Sequence, residues 1–303
     1  MNPTSQVSVF VGSGVGVLFY FMTLGLGVLS NSVVFFWLMM ELGVYLVVSA
    51  MLRGGVWAGV VMLYYCIQSV GSSLMLLGVV WSSFSILFVG VVLKLGLFPL
   101  VGWVFLVVKE LGLSWTMVVV LGFQKILPFI FLGKFMSQWG VSFEFFVVGA
   151  LSVITGVVMM IAGDGVVSLI SFSSVVHSGW FVSLQVLSPS VLVRYFLIYC
   201  VFLWLISFVA EVASSSAFFV FSFLGGLPPC LGFFLKLNLF WAFSWFLAGW
   251  IFLFAVCSAL AVLGYFRELI FKLMIGLGGW LGTGGLVLLN LWVVSFTVLY
   301  IVI

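Results

Sequence analysis

The chain has 303 residues, 66% of them hydrophobic and 5% charged, with a mean hydropathy of +1.51 and a formal net charge of +3. A soluble chain carries about 25% charged residues, so nine basic and six acidic side chains cannot clothe a water-facing surface of this size. The small net charge, with no basic run, argues against nucleic acid, and a single histidine excludes a His-rich metal centre or bis-histidine haem ligation.

The composition therefore predicts an all-α, polytopic membrane protein. A spanning helix needs about 20 mostly apolar residues. Eleven such stretches are expected at roughly 6–28, 32–52, 56–80, 84–107, 114–134, 141–163, 166–187, 190–213, 216–243, 245–268 and 278–302. Asn31-Ser32, Arg53 to Gly55, Ser82-Ser83, Lys109 to Ser114, Ser137 to Gly140, Asp164-Gly165 and Ser188 to Ser190 divide them, with weaker divisions at Ser244 and from Arg267 to Gly279. Continuous apolar runs such as Met117 to Leu121 do not alternate, which argues against a barrel. No cleavable targeting segment is expected, because Met1 to Gln6 holds no basic side chain and the first Arg or Lys is Arg53. Cys66, Cys200, Cys230 and Cys257 form no C-x-x-C pair and read as buried small hydrophobes. Gly12 and Gly16 offer a small-xxx-small face for close helix packing.

Two segments repeat a pattern. Gly96-Leu97-Phe98-Pro99-Leu100-Val101-Gly102-Trp103 and Gly226-Leu227-Pro228-Pro229-Cys230-Leu231-Gly232-Phe233 both fit G-L-x-P-x-x-G-aromatic. They fall in the fourth and ninth spans, an odd offset that places the copies in oppositely directed helices. Helices broken by Gly and Pro at matching positions of two inverted halves point to the ion path of a transporter. The predicted halves are 6–134 and 141–268, followed by a final helix at 278–302, all in one membrane domain.

Charge placement is the most informative feature. Glu41, Lys94, Lys125, His177 and Lys236 all lie at mid-membrane depth, in different spans. Each central charge costs about 2.5–3.5 kcal/mol, so such residues face a bundle interior or a water-filled path. One Glu–Lys ion pair accounts for two of these groups and leaves two lysines over. Burial penalises the charged form of a lysine and a nearby carboxylate restores it, so a row of this kind can take up and release protons. His177 is read equally as a relay or as a packed core histidine. Arg194 and Glu211 read as rim groups. Arg53, Lys109, Glu110, Lys134, Glu144, Asp164, Arg267, Glu268 and Lys272 read as interface anchors, joined there by several of the thirteen Trp, among them Trp115, Trp139 and Trp280.

An ordered series of short motifs follows: Lys94-Leu95-Gly96-Leu97-Phe98-Pro99, Gln124-Lys125-Ile126-Leu127-Pro128, Ser173-Ser174-Val175-Val176-His177-Ser178-Gly179-Trp180, and Gly225-Gly226-Leu227-Pro228-Pro229 with Lys236. With Glu41 upstream, the series resembles the chain 2 family of NADH:ubiquinone oxidoreductase, the antiporter-like membrane subunits of respiratory complex I. The resemblance runs from about Glu41 to Arg267. It implies a core membrane-arm subunit of the mitochondrial inner membrane, taking part in proton translocation coupled to NADH oxidation and ubiquinone reduction, with two inverted five-helix repeats plus a further helix. Glu41 and Lys94 then look like the Glu–Lys pair of the first half-channel, Lys125 like the connecting lysine, Lys236 like the terminal lysine, and His177 like a further polar-axis residue. The resemblance implies no cofactor in this chain, with NADH, FMN, iron–sulfur clusters and ubiquinone held by partner subunits. It also implies neighbouring membrane-arm subunits, antiporter-like chains among them, and membrane lipids as partners. Departures occur: after Pro99 the family's His-Phe-Trp-Val-Pro-Glu stretch keeps only Trp103 and Val104, Val167-Ser168 replaces a basic pair, and Gly59 and Leu63 stand at an acidic and a basic position. Two other readings stay open, a structural membrane subunit without its own proton path and another antiporter-like cation/proton transporter subunit.

Overall fold

A computed structural model describes residues 14–139, 143–212, 225–226, 231–244 and 248–276. The described residues are helical with short connections. Twelve α-helices are described: α1 (Gly14–Leu29), α2 (Val33–Arg53), α3 (Ala58–Val80), α4 (Phe84–Leu95), α5 (Gly102–Leu111), α6 (Trp115–Leu121), α7 (Ile126–Trp139), α8 (Phe143–Ala162), α9 (Val166–Leu187), α10 (Pro189–Val212), α11 (Leu231–Ser244) and α12 (Ala248–Gly276). Among the described residues, seven helical stretches are long and apolar enough to cross a membrane, one of them Trp115–Lys134, which runs from α6 into α7. Shorter apolar helices cover Gly16–Leu29 and Phe84–Leu95. The chain is a multi-pass membrane protein. The expected final span at 278–302, the Gly12 face, Cys230, Pro228 and Pro229 lie outside the described residues.

Most predicted divisions are helix ends, for reasons local to the sequence. The Ser32 hydroxyl accepts from the Phe35 amide at 3.1 Å and caps α2. Ser114 caps α6 by accepting from the Met117 amide at 3.4 Å. Gly96 ends α4 with φ +67°, a left-handed backbone that glycine adopts freely. The Leu97 amide then donates to Val92 O at 3.0 Å and the Gly96 amide to Leu93 O at 3.3 Å, the two bonds of a Schellman turn. The predicted fourth span is thus two helices, α4 and α5, with the break at 96–101.

The fifth span departs from expectation. It is not one helix with Lys125 in its interior: α6 stops at Leu121, Phe123–Lys125 forms a 3-10 turn, and α7 begins at Ile126. Pro128 lacks an N–H, and its ring excludes the carbonyl four residues earlier, at Gln124, so the helical ladder opens there.

Helix α9 is the axis of the bundle. It packs against α5, α7, α8, α10, α11 and α12, and 83% of its apolar window is buried, against 28% in the α12 span. Small side chains permit this crowding. A Cβ on Gly149 of α8 would lie 2.9 Å from Gly179 O of α9, and one on Gly156 would lie 2.7 Å from Val176 Cγ2. Helices α3 and α4 close in the same way, where a Cβ on Gly90 would lie 2.8 Å from Gly71 O. The buried α9 serines bond carbonyls of their own helix, Ser171 to Ser168 O at 2.8 Å and Ser183 to Gly179 O at 3.0 Å. Their polarity is satisfied locally in a medium without water.

The outer surface is apolar, with Leu29, Trp57, Trp81, Trp241 and Phe252 exposed. Trp57 and Trp81 flank the two ends of α3, as expected of aromatic residues at membrane interfaces. Cys66 is exposed on α3, contrary to its expected burial, whereas Cys200 and Cys257 are buried. Arg53, Lys109, Glu110, Glu144, Asp164 and Arg194 are all exposed. Two anchors do more than face water. The Lys134 ammonium donates to Ser30 O at 2.9 Å, just past α1, and sits 5.3 Å above the Phe36 ring. Arg267 donates to Ile161 O at 2.5 Å and to Gly163 O, and lies 3.9 Å from Asp164 Oδ1, holding the free carbonyls at the end of α8. Replacing Arg267 by Met should cost about 1–3 kcal/mol through these lost charge-assisted bonds. A lower detergent-unfolding midpoint of the purified variant checks this.

Candidate functional site

Among the described residues, five Glu, Lys and His side chains separate by burial from the other charged groups. Glu41, Lys94, Lys125, His177 and Lys236 are 8%, 3%, 3%, 5% and 7% exposed, while the anchors named above lie at the surface. These five are the mid-membrane groups expected from the sequence, and each sits on a different structural element.

Glu41 projects from α2 into the seam with α3. The Ser72 hydroxyl donates to Glu41 Oε1. Ser72, Gln68 and Tyr64 follow one another at intervals of four and so share one face of α3. Gln68 Nε2 donates to the carbonyl of Lys94 at 3.3 Å, which ties α3 to the last turn of α4. Lys94 is thereby placed at the broken end of its helix, and Glu41 is the charge that acts on its ammonium. The pair is not a closed ion pair, because Lys94 Nζ has no hydrogen-bond partner. The backbone groups freed by the break are taken up by side chains. Trp103 Nε1 donates to Leu93 O at 3.1 Å, and the Phe98 amide donates to Ser152 Oγ at 2.9 Å.

Lys125 reaches from the 3-10 turn to the centre of α9. Its ammonium donates to Ser174 Oγ at 2.8 Å, to Ser178 Oγ at 2.7 Å and to Ser174 O at 3.4 Å. Ser178 spends its own hydrogen on Ser174 O at 2.7 Å, so its lone pairs face Lys125. The preceding residue, Gln124, accepts from the Tyr20 hydroxyl at 2.9 Å, locking the turn against α1. His177, three residues after Ser174 on α9, pairs Nδ1 with the Tyr195 hydroxyl at 2.9 Å, and its ring lies 4.8 Å from that of Tyr199. Lys236 and Lys125 are the cations that act on His177.

Lys236 lies on α11, and its ammonium donates to Gly225 O at 2.7 Å. A Cβ on Gly226 would meet Lys236 Cδ at 3.0 Å, and Gly226 has φ +70°. Gly226 thus shares the left-handed backbone of Gly96, and at each the lysine belongs to the adjoining structure.

The sequence did not single out Tyr64, Ser72, Ser174, Ser178 or Tyr195 as partners. The i, i+4 spacing of Tyr64, Gln68 and Ser72 was the available signal, polar positions on one face of an otherwise apolar helix. Among the described residues no three His, Cys, Asp or Glu side chains gather as a metal site would require.

No family model matches the chain. It is 28% identical over 204 residues to NADH-ubiquinone oxidoreductase chain 2 of Lumbricus terrestris, covering 57% of this chain and 60% of the relative. The protein of the same name from Mytilus edulis is 30% identical over 237 residues, covering 71% of this chain and 73% of the relative. The chain belongs to the NADH-ubiquinone oxidoreductase chain 2 family. A third chain 2 relative, from Myxine glutinosa, is 27% identical over 212 residues, covering 59% of this chain and 61% of its own. The match thus spans less than two thirds of two of these three chain 2 relatives. Solved structures share the fold. A chain of respiratory complex I from Thermus thermophilus superposes with a TM-score of 0.73 at 18% identity, covering 84% of this chain and 69% of that one. A chain of the Mrp complex from a Dietzia species gives 0.65 at 18%, covering 92% and 63%. The membrane-bound sulfane sulfur reductase, an archaeal respiratory membrane complex, gives 0.73 at 18%, covering 92% and 71%. The same fold therefore recurs in chains of multi-subunit membrane complexes.

Proposed function

We propose that the chain is a proton-translocating subunit in the membrane arm of respiratory complex I, placed in the mitochondrial inner membrane beside other antiporter-like subunits and lipids. Electron transfer from NADH to ubiquinone, with FMN and iron–sulfur clusters, belongs to partner subunits, and this chain holds no redox group. Its role is to take up, pass and release protons. Glu41 and Lys94 form the first site, Lys125 the connecting site, His177 the relay and Lys236 the terminal site. Two inverted halves, 6–134 and 141–268, supply one broken helix each, and the left-handed Gly96 and Gly226 beside Lys94 and Lys236 support that division.

One observation carries the reading: the buried charges are arranged to act on one another without neutralising one another. A structural ion pair would close Glu41 on Lys94. Instead Glu41 takes the Ser72 hydroxyl, and Lys94 Nζ is left without a partner. Lys125 is held by neutral hydroxyls, and Lys125 and Lys236 both act on His177. Such groups can change protonation without breaking the fold, because Glu41, Lys125 and His177 are each bonded by a hydroxyl, a group that can donate or accept.

Proton pumping measured together with NADH oxidation in reconstituted complex tests this. Lys94→Met and Lys236→Met should each lower protons moved per NADH at least severalfold while the complex assembles, since a group that takes and gives a proton contributes about 10²–10⁴-fold to its step. Normal stoichiometry in both variants would leave a structural membrane subunit as the better reading.

A further inference from the structure

Three buried polar atoms around the first site lack a protein partner: the Tyr64 hydroxyl, Gln68 Oε1 and Lys94 Nζ. They belong to one neighbourhood. Tyr64 and Gln68 share a face of α3 one turn apart, and Gln68 grips the Lys94 carbonyl through its other amide atom at 3.3 Å. Helices α3 and α4 touch here, a Cβ on Gly71 falling 3.3 Å from Lys94 Cβ. Glu41 is the charge acting on both the Tyr64 hydroxyl and the Lys94 ammonium. The side chains themselves are fixed. Tyr64 and Gln68 are fully buried, at 0% and 1% exposure, and the Tyr64 ring packs 6.1 Å from the Trp103 ring.

The three atoms differ in chemistry in a way that names their ligand. Lys94 Nζ only donates, Gln68 Oε1 only accepts, and a phenol does both. Apolar surroundings give such atoms no relief, and leaving them unpaired carries a desolvation cost each time. A single water molecule accepts from Lys94, donates to Gln68 and exchanges a bond with Tyr64, meeting the two to four polar partners that a buried water requires.

We propose that Tyr64, Gln68 and Lys94 form a binding site for an ordered water, and that Tyr64 and Gln68 are positioning residues which hold this water between Glu41 and Lys94. The proposal rests on the proton-translocating reading above and adds to it the means by which the first pair communicates. The Ser72 hydroxyl, one turn beyond Gln68 on the same face of α3, donates to Glu41 Oε1, so the carboxylate and the proposed water line the same seam. A proton leaving Lys94 passes to the water oxygen, and a hydrogen of that water passes on to the carboxylate side. No oxidation is involved, and each hydroxyl regains the hydrogen that it gives.

The test is Tyr64→Phe in the intact complex, read by proton pumping per NADH and by a map that resolves buried water. The substitution removes one oxygen that touches no protein group, so a purely structural role predicts no loss. The proposal predicts a fall in pumping of about tenfold, the size expected when a buried polar contact is lost, with assembly unchanged. It also predicts density within hydrogen-bond reach of the three atoms in the unaltered complex. Full pumping by Tyr64→Phe, or a map in which Lys94 bonds Glu41 directly with nothing among the three groups, would overturn it. Lys94→Met separates the two ideas: if it abolishes transport while Tyr64→Phe is silent, the translocating role stands and the water site fails. If Lys94→Met is itself silent, the translocating reading fails first.

Discussion

Lys125→Arg should assemble normally and yet lose NADH-driven proton transport by about 10²-fold, the contribution of a well-placed proton donor and acceptor. The Lys125 ammonium is held by two serine hydroxyls at 2.7 and 2.8 Å, with no carboxylate against it. If those bonds served only to join the 3-10 turn to α9, a guanidinium with five donors would serve as well. Arginine does not deprotonate in proteins, whereas a buried lysine exchanges its proton readily. Charge retained with transport lost is therefore the signature of a carrier. Lys125→Met gives the complementary result, since it removes both charge and proton, and transport should again fall about 10²-fold. The measurement is acidification driven by NADH in proteoliposomes, normalised to the amount of assembled complex. An arginine variant that pumps at the unaltered rate would reduce Lys125 to a structural post.

The sequence made the buried charges legible for a simple reason. Charges are so few, and the apolar runs so long, that Glu41, Lys94, Lys125, His177 and Lys236 stand out by depth alone, and all five are buried. The first helix break was equally legible, because Gly96 and Pro99 punctuate an apolar run and the backbone stops there in a left-handed turn. The break before Lys125 was not. Gly122 and Pro128 were visible, but a proline inside a span is compatible with a kinked, continuous helix, and only the packing of α6 and α7 against their neighbours decides between kink and turn. Partners were the least legible. Serine is ordinary in membrane helices, and nothing in the run Ser173-Ser174 distinguishes Ser174, which receives Lys125, from Ser173, which bonds Ile170 O at 2.8 Å. The difference is a rotation of about 100° around α9, invisible until the neighbouring helices are in place. Among the described residues the close helix approaches include Gly71, Gly90, Gly149, Gly156 and Gly179. In a chain with 34 glycines, composition cannot say which ones face a neighbour.

Gly179→Leu is expected to be the most damaging substitution that touches no charge. Even the first added atom has nowhere to go, since a Cβ at this position would lie 2.5 Å from Gly149 O, 2.8 Å from Val153 Cγ2 and 3.1 Å from the Val153 amide nitrogen. Two of these neighbours are backbone atoms of α8, so rotamer changes cannot relieve the overlap and the helices must separate. Separation spreads along the seam, because Gly149 and Gly156 also rely on close contact with α9. The cost should reach about 3 kcal/mol or more, the upper range for overpacking. It would be read as loss of folded protein in detergent and failure to enter the assembled complex. Van der Waals contact between helices replaces the hydrophobic drive in lipid, so losing it here removes a main source of cohesion from the axis that also carries Ser174, His177 and Ser178. Gly25→Ala is the matched control: a Cβ there meets nothing within 4 Å, and alanine gains about 1 kcal/mol of helix propensity over glycine. That variant should fold and assemble at least as well as the unaltered chain, and its failure would show that glycine tolerance in this bundle is governed by something other than helix proximity.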